Sequence, residues 1–217
     1  MAKADVSTPR ERYRAQVRAE ITERAWGQIA TAGASALSLN AIAKQMGMSG
    51  PALYRYFASR DDLITELVRE AYRSLAETLR TASANGADLG GLAHALRNWA
   101  LTDPQRYFLV YGTPVPGYHA PEDITAISSE IMTTLLDACV AHVPAGAADS
   151  FATYLKDHRE WAAGHPAPPE TLHRFLTFWT RLHGVLSLEL AGHFTGMDLD
   201  PALLFAAELD DLLTPRA

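Results

Sequence analysis

Apolar residues recur every three to four positions along most of this chain, which is the period of a helix packed on one face. Val17, Ile21, Ala25 and Ile29 form the first stripe, widened by Trp26 and Ala30. Thr8-Pro9-Arg10-Glu11 before it resembles a capping box with proline in the first turn, and Gly33 ends it. Leu39, Ile42, Ala43 and Met46 make a short second stripe behind Ser38. Leu63, Leu67, Ala71, Leu75 and Leu79 make a long third one without Gly or Pro, predicting a helix over about 60–83, on the order of 30 Å long. Further helices are expected near 88–101, 104–112, 121–142, 147–163, 169–194 and 201–213, with the boundary between 142 and 147 left open. Their breakers are Asp103-Pro104, the stretch from Thr113 to Pro121, Pro144, Gly164 to Pro169, and Gly196 to Pro201. Strand signals are weak throughout, so the expected class is all-α.

Between the second and third stripes lies the layout of a helix-turn-helix. Gly47 sits where a helix end needs positive φ. Ser49 can cap a new helix over Ser49–Phe57, with Pro51 in its first turn. Leu53 and Phe57, four apart, face inward and leave Ala52, Tyr54, Arg55 and Tyr56 wholly or partly on other faces. Two short helices with basic and aromatic groups outward on the second are what a major-groove reader requires.

The run LSLNAIAKQMGMSGPALYRYFASRDDL, Leu37 to Leu63, resembles the DNA-binding domain of the TetR family of transcriptional regulators. Gly47, Leu53, Tyr54, Tyr56, Phe57, Arg60 and Leu63 occupy the places of that family's signature. The resemblance implies a three-helix DNA-binding domain over 1–60 and a helical effector-binding and dimerisation domain over 61–217. The long helix joins the two and transmits motion from a ligand cavity. It also implies a repressor, released from a pseudo-palindromic operator by a small-molecule effector. Tyr54, Tyr56 and Arg60 would meet the sugar-phosphate backbone, and Ser49 would donate there too. Gly50, Pro51, Ala52 and Arg55 are the candidates for base edges. The chain departs from the common pattern in having Tyr at 56 where His is frequent and Arg at 60 where Lys is frequent.

The segment Phe175 to Phe194 is apolar on more than one face and needs cover from several sides. Phe175, Trp179, Leu182, Leu186 and Leu190 are therefore expected to face a second subunit, with the final helix completing a four-helix bundle about a two-fold axis. Trp179, His183 and Gly184, with the upstream Tyr107 to Pro121, resemble a C-terminal subtype marked by Trp and then His-Gly. An effector cavity would be mostly apolar with a few polar anchors. Trp99, Tyr107, Phe108, Tyr111, Phe151, Tyr154, Trp161 and Phe178 are the candidate lining residues.

Composition adjusts this picture in three ways. The net charge of −6 argues against DNA binding, yet residues 1–60 hold nine Lys or Arg against four Asp or Glu. The remainder holds ten against twenty-one, so a basic module adjoins an acidic body. Cys139 is the only cysteine, which excludes an intrachain disulfide and fits a reducing compartment. The opening residues show no apolar signal segment, and no apolar run approaches the roughly 20 residues of a membrane span, so a cytoplasmic protein is expected. His158 with Glu160 and His165, or His183 with His193, can be paired on paper, but no HExxH, CxxC, GxSxG or phosphate-cradling loop is present. No enzyme activity, metal or cofactor is expected. The alternative is a helical carrier or enzyme whose N-terminal hairpin is incidental.

Overall fold

The computed structural model describes residues 8–142 and 149–214, and all regular elements among them are helical. Ten α-helices follow in order: α1 Pro9–Ala32, α2 Leu39–Gln45, α3 Gly50–Leu53, α4 Arg60–Ala84, α5 Leu89–Thr102, α6 Pro104–Tyr111, α7 Glu122–His142, α8 Ser150–Tyr154, α9 Pro169–Leu190 and α10 Pro201–Leu213. A 3-10 turn, Ala34–Ala36, joins α1 to α2.

Local chemistry explains the boundaries. Thr8 accepts from the Glu11 N–H while the Glu11 carboxylate accepts from the Thr8 N–H at 2.6 Å, a reciprocal box that starts α1. Ser38 caps α2 and Ser59 caps α4 by accepting from the N–H three residues on. Gly47 turns the chain between α2 and α3 at φ 64°.

Two cores result. The first buries Val17, Ile21, Ala25 and Ile29 of α1 against Leu39, Ile42, Leu53 and Phe57. It does not stop at residue 60, because Leu63, Ile64, Leu67 and Val68 of α4 and Ile124 of α7 belong to it. Leu109, Val115 and Tyr118 pack on its edge. The second core holds Leu75 and Leu79 of α4 with the apolar faces of α5, α7, α9 and α10. α4 thus lends its first turns to one core and its last turns to the other.

Four expectations need correction. First, the helix expected over 147–163 is only α8 and a later 3-10 turn, Glu160–Ala162. The His158 ring nitrogen Nδ1 lies 3.0 Å from the Tyr154 carbonyl, where the next helical N–H would bond. The boundary between 142 and 147, and the first two residues of that expected helix, lie outside the described residues. Second, α9 stops at Leu190 rather than 194. Gly192 takes φ 76°, and the His193 and Gly192 N–H groups close on Leu188 and Glu189 carbonyls in a Schellman end. Third, α3 is helical only over Gly50–Leu53, after which the chain tightens as the Tyr56 N–H bonds the Leu53 carbonyl at 2.8 Å. Fourth, α7 is long and apolar enough by length and composition to cross a membrane. It packs along α4 and α9, as a core helix does.

Candidate nucleic-acid interface

The segment Ser49 to Tyr56 projects from the first core, anchored by Leu53 and Phe57, both fully buried. Ser49, Pro51, Tyr54 and Arg55 are exposed, while Gly50, Ala52 and Tyr56 are partly so. The Ser49 side chain makes no capping bond, leaving its hydroxyl outward.

Two arginines of α1 hold this segment from behind. Arg14 donates to the Arg55 carbonyl at 3.0 Å, and Arg18 donates to the Tyr56 carbonyl at 2.5 Å. The Arg18 guanidinium also lies over the Phe57 ring at 4.1 Å, and Arg14 lies 5.6 Å from the Tyr56 ring centroid. These bonds satisfy two carbonyls of the turn that follows α3. The signal that finds the tether is the i, i+4 spacing of Arg14 and Arg18 on α1, the face turned toward α3.

Arg60 is placed differently from expectation. Its guanidinium donates to the carbonyls of Ala34 (2.9 Å), Ser35 (3.2 Å) and Leu37 (3.3 Å), and it lies 3.7 Å from Asp61. The planar fork suits several carbonyls at one turn, so Arg60 braces the α1–α2 connection here instead of reaching outward to phosphate.

An ionic chain runs from the head to the body. The Arg18 guanidinium is 3.4 Å from Glu66, which accepts from Arg69 at 2.8 Å, and Arg69 donates to Asp123 at the start of α7 at 2.7 Å. The paired guanidinium beside Asp123 holds that carboxyl below the usual range. Trp26 donates to Glu70 at 3.1 Å, and Arg106 of α6 covers the Trp26 ring at 5.4 Å.

The eight candidate effector residues do not converge on one site. Tyr107 and Phe178 are fully buried, and Phe108 and Tyr111 are partly buried beside them. The Tyr107 hydroxyl lies 2.9 Å from His183 Nδ1 and 2.8 Å from the Ser187 hydroxyl. The Tyr111, Trp179 and His183 rings pack against one another edge-on or tilted, with the Trp179 and His183 ring centroids 4.0 Å apart. Burial pushes the Tyr111 phenol up and His183 down to about 4, so this imidazole is neutral near pH 7. His183 Nε2 is buried without a hydrogen-bond partner among the described residues. Trp99 stands apart, donating to Ser74 at 3.1 Å in a groove between α4 and α5. Phe151 and Tyr154 ride the short α8 with 43% and 53% of their surface exposed, and with Trp161 they line an open cleft beside Leu176. The reason is the early end of α8: Tyr154 stacks on His158 at 3.8 Å instead of turning inward.

The stripe assigned to the subunit interface is also displaced. Phe175, Leu182 and Leu186 are fully buried inside the chain's own second core, with Trp179 and Leu190 packed on it. α5, α7 and α10 supply the cover that a second subunit was expected to give. The outward face of α9 carries Thr180, Gly184 and Leu188, and that of α10 carries Leu203 and Ala207. Cys139 is buried, its thiol pushed up to about 12 by desolvation, and behaves as an apolar group.

Residues 21–67 match the model for the bacterial regulatory proteins of the tetR family, and residues 89–212 match a tetracyclin repressor-like C-terminal domain. The chain is 36% identical over 213 residues to the HTH-type transcriptional regulator Rv1816 of Mycobacterium tuberculosis, covering 90% of each chain. The same identity and coverage relate it to the HTH-type transcriptional regulator Mb1846 of Mycobacterium bovis. Among solved structures it superposes on the regulatory protein SCO4313 with a TM-score of 0.88 at 69% identity, covering 96% of this chain and all of that one. It shares the fold of PfmR, a TetR family transcriptional regulator from Thermus thermophilus, with a TM-score of 0.56 at 16% identity over 89% of this chain and 96% of that one. An exposed, braced helix-turn-helix and a helical body, each matched by its own model, make this chain a member of the tetR family: a DNA-binding transcriptional regulator.

Proposed function

We propose that this regulator is a cytoplasmic repressor that holds a pseudo-palindromic operator as a homodimer and leaves it when a small-molecule effector binds. The observation that carries the DNA end of this reading is the strip of Pro51, Tyr54 and Arg55, exposed and braced at its far end by Arg14 and Arg18. Arg55 reads a base edge, with Gly50, Pro51 and Ala52 close enough to the groove floor to add contacts. Tyr54, Tyr56 and Ser49 take the sugar-phosphate backbone. Residues 1–60 act as the reading head and 61–217 as the effector and dimer body, joined by α4.

The dimer forms through the outward faces of α9 and α10. Gly184 supports this choice. It lies mid-helix, where glycine costs about 1 kcal/mol, and nothing among the described residues fills the space a Cβ would take. A second helix can approach closely there, with Leu188 and Leu203 beside it. Trp179, His183 and Gly184 are the residues that support a Trp-His-Gly subtype for the body. No catalytic role is assigned to any residue.

The test is binding to DNA from the chain's own upstream region, followed by anisotropy across a salt series. Sequence-specific affinity that falls steeply with salt is expected. Equal affinity for operator and random duplex would overturn the reading.

A further inference from the structure

A cleft of about 590 Å³ opens between the head and the body. Its head wall is the last turn of α1, with Ile29 and Ala30, and the 3-10 turn, with Ala34 and Ser35. Its body wall is α6, with Pro104, Gln105, Phe108 and Leu109, the loop Thr113 to Pro116, and Leu190 at the end of α9. From this seam we infer that the effector is an uncharged, mostly apolar small molecule seated between head and body, and that it acts on DNA binding through the Arg60 brace. This inference rests on the effector-responsive reading given above.

The chemistry of the walls selects the class. Among the described residues no Asp, Glu, Lys, Arg or His lines the cleft, so an ion would lose its hydration with no opposite charge there to replace it. Three of the lining residues are prolines, which have no N–H to offer an anion. The side chains of Ser35, Gln105 and Thr113 supply a few neutral hydrogen-bonding groups. The volume lies within the range of small-molecule sites.

The position couples the seam to the reading head. The head wall contains Ala34 and Ser35, whose carbonyls accept from the Arg60 guanidinium at 2.9 and 3.2 Å. Arg60 opens α4, three residues after Phe57, the buried anchor of the recognition segment. A molecule that pushes the 3-10 turn away from α6 therefore displaces the acceptors that fix the α3–α4 junction. An occupant bridging head and body also fixes the angle between them, which sets where the recognition segment points. Binding that favours one such angle disfavours DNA by the same factor that DNA disfavours it.

N-phenyl-1-naphthylamine, a neutral dye that brightens in apolar sites, is the probe, with anionic 8-anilinonaphthalene-1-sulfonate as its charged counterpart. The intact chain should bind the neutral dye at least ten-fold more tightly than the anion. Ala30→Trp fills the cleft from an exposed helix position and should lower dye affinity at least ten-fold. Gln105→Trp fills it from the opposite wall and replaces the first variant if its melting curve shows misfolding. Tyr154→Ala, in the separate cleft beside Leu176, should leave the dye unaffected. Equal binding to the chain and to both filled variants, loss on Tyr154→Ala alone, or no binding at all each overturns the site. These readouts need no DNA and stand apart from the fate of the repressor reading. Saturating dye should then weaken operator affinity at least five-fold in the unmodified chain and not in Ala30→Trp. Dye bound in the seam with operator affinity unchanged would overturn the coupling.

Discussion

Arg55 and Arg60 lie five residues apart and have different employment. Arg55 is exposed and, among the described residues, hydrogen-bonds only through its backbone, whereas the Arg60 guanidinium is spent on three carbonyls. Arg55→Ala should relax preference at one base pair, by about 1–3 kcal/mol for a bidentate contact. Tyr54→Ala should weaken binding to every sequence alike, because backbone contacts carry no code. A selection of bound duplexes from random DNA separates the two patterns. Arg60→Ala should lower the melting temperature and leave the slope of log affinity against log salt unchanged. A slope shallower by about one would return Arg60 to the phosphates. His183 gives a further test. Its imidazole is held near 4 against 6.5 in the unfolded chain, so above pH 6.5 both states are neutral and stability is flat. As pH falls from 6.5 to 4 the unfolded chain takes the proton and the folded one does not, so stability is lost, at most about 3 kcal/mol. Urea titrations across that window should show a shallower decline for His183→Asn, which keeps a polar group toward Tyr107 and cannot titrate.

The elements show which features of the chain were readable and which were not. Stripes of four-residue spacing located α1 and α4, because each helix buries one continuous face. The caps at Thr8, Ser38 and Ser59 behave as their chemistry dictates. The partners chosen by individual side chains were not readable. The His158 ring turns back to the Tyr154 carbonyl where the chain tightens after α8, and the Arg60 fork finds a turn 25 residues upstream; neither leaves a period in the sequence. α9 is apolar on more than one face, and periodicity cannot say whether its own chain or another copy covers each. The ionic chain from Asp123 through Arg69 and Glu66 to Arg18 is likewise a product of packing. Each pair is partly exposed and solvent-screened, so none is a strong contributor by itself. Arg18→Ala should nevertheless cost more in operator affinity than in melting temperature, because it releases the Tyr56 carbonyl at the end of the recognition segment. Differential scanning fluorimetry beside anisotropy checks that ratio.

At the scale of the whole molecule, two leucines on α9 distinguish core from interface. Leu186 is fully buried in the chain's own core, and Leu188 is 44% exposed on the opposite face. Leu186→Glu should unfold the body, since a buried unpaired carboxylate costs several kcal/mol. Leu188→Glu should leave the fold intact, yield monomers in sedimentation velocity, and abolish tight operator binding. A folded Leu188→Glu dimer would move the interface off α9. If the dimer is as proposed, its two heads should meet half-sites whose centres lie about 34–36 Å apart, or somewhat more on deformed DNA.

The first core draws on residues well outside the helix-turn-helix. Ile124 is buried in it, and Leu109, Val115 and Tyr118 close its edge. For anyone building hybrid regulators, this makes residues 1–68 a poor cassette. Transplanted onto a foreign body, that piece would present Ile64 and Val68 to a surface that never evolved to receive them. The exchangeable unit is discontinuous, and a working chimera must carry the stretch from Leu109 to Ile124 along with the head it supports.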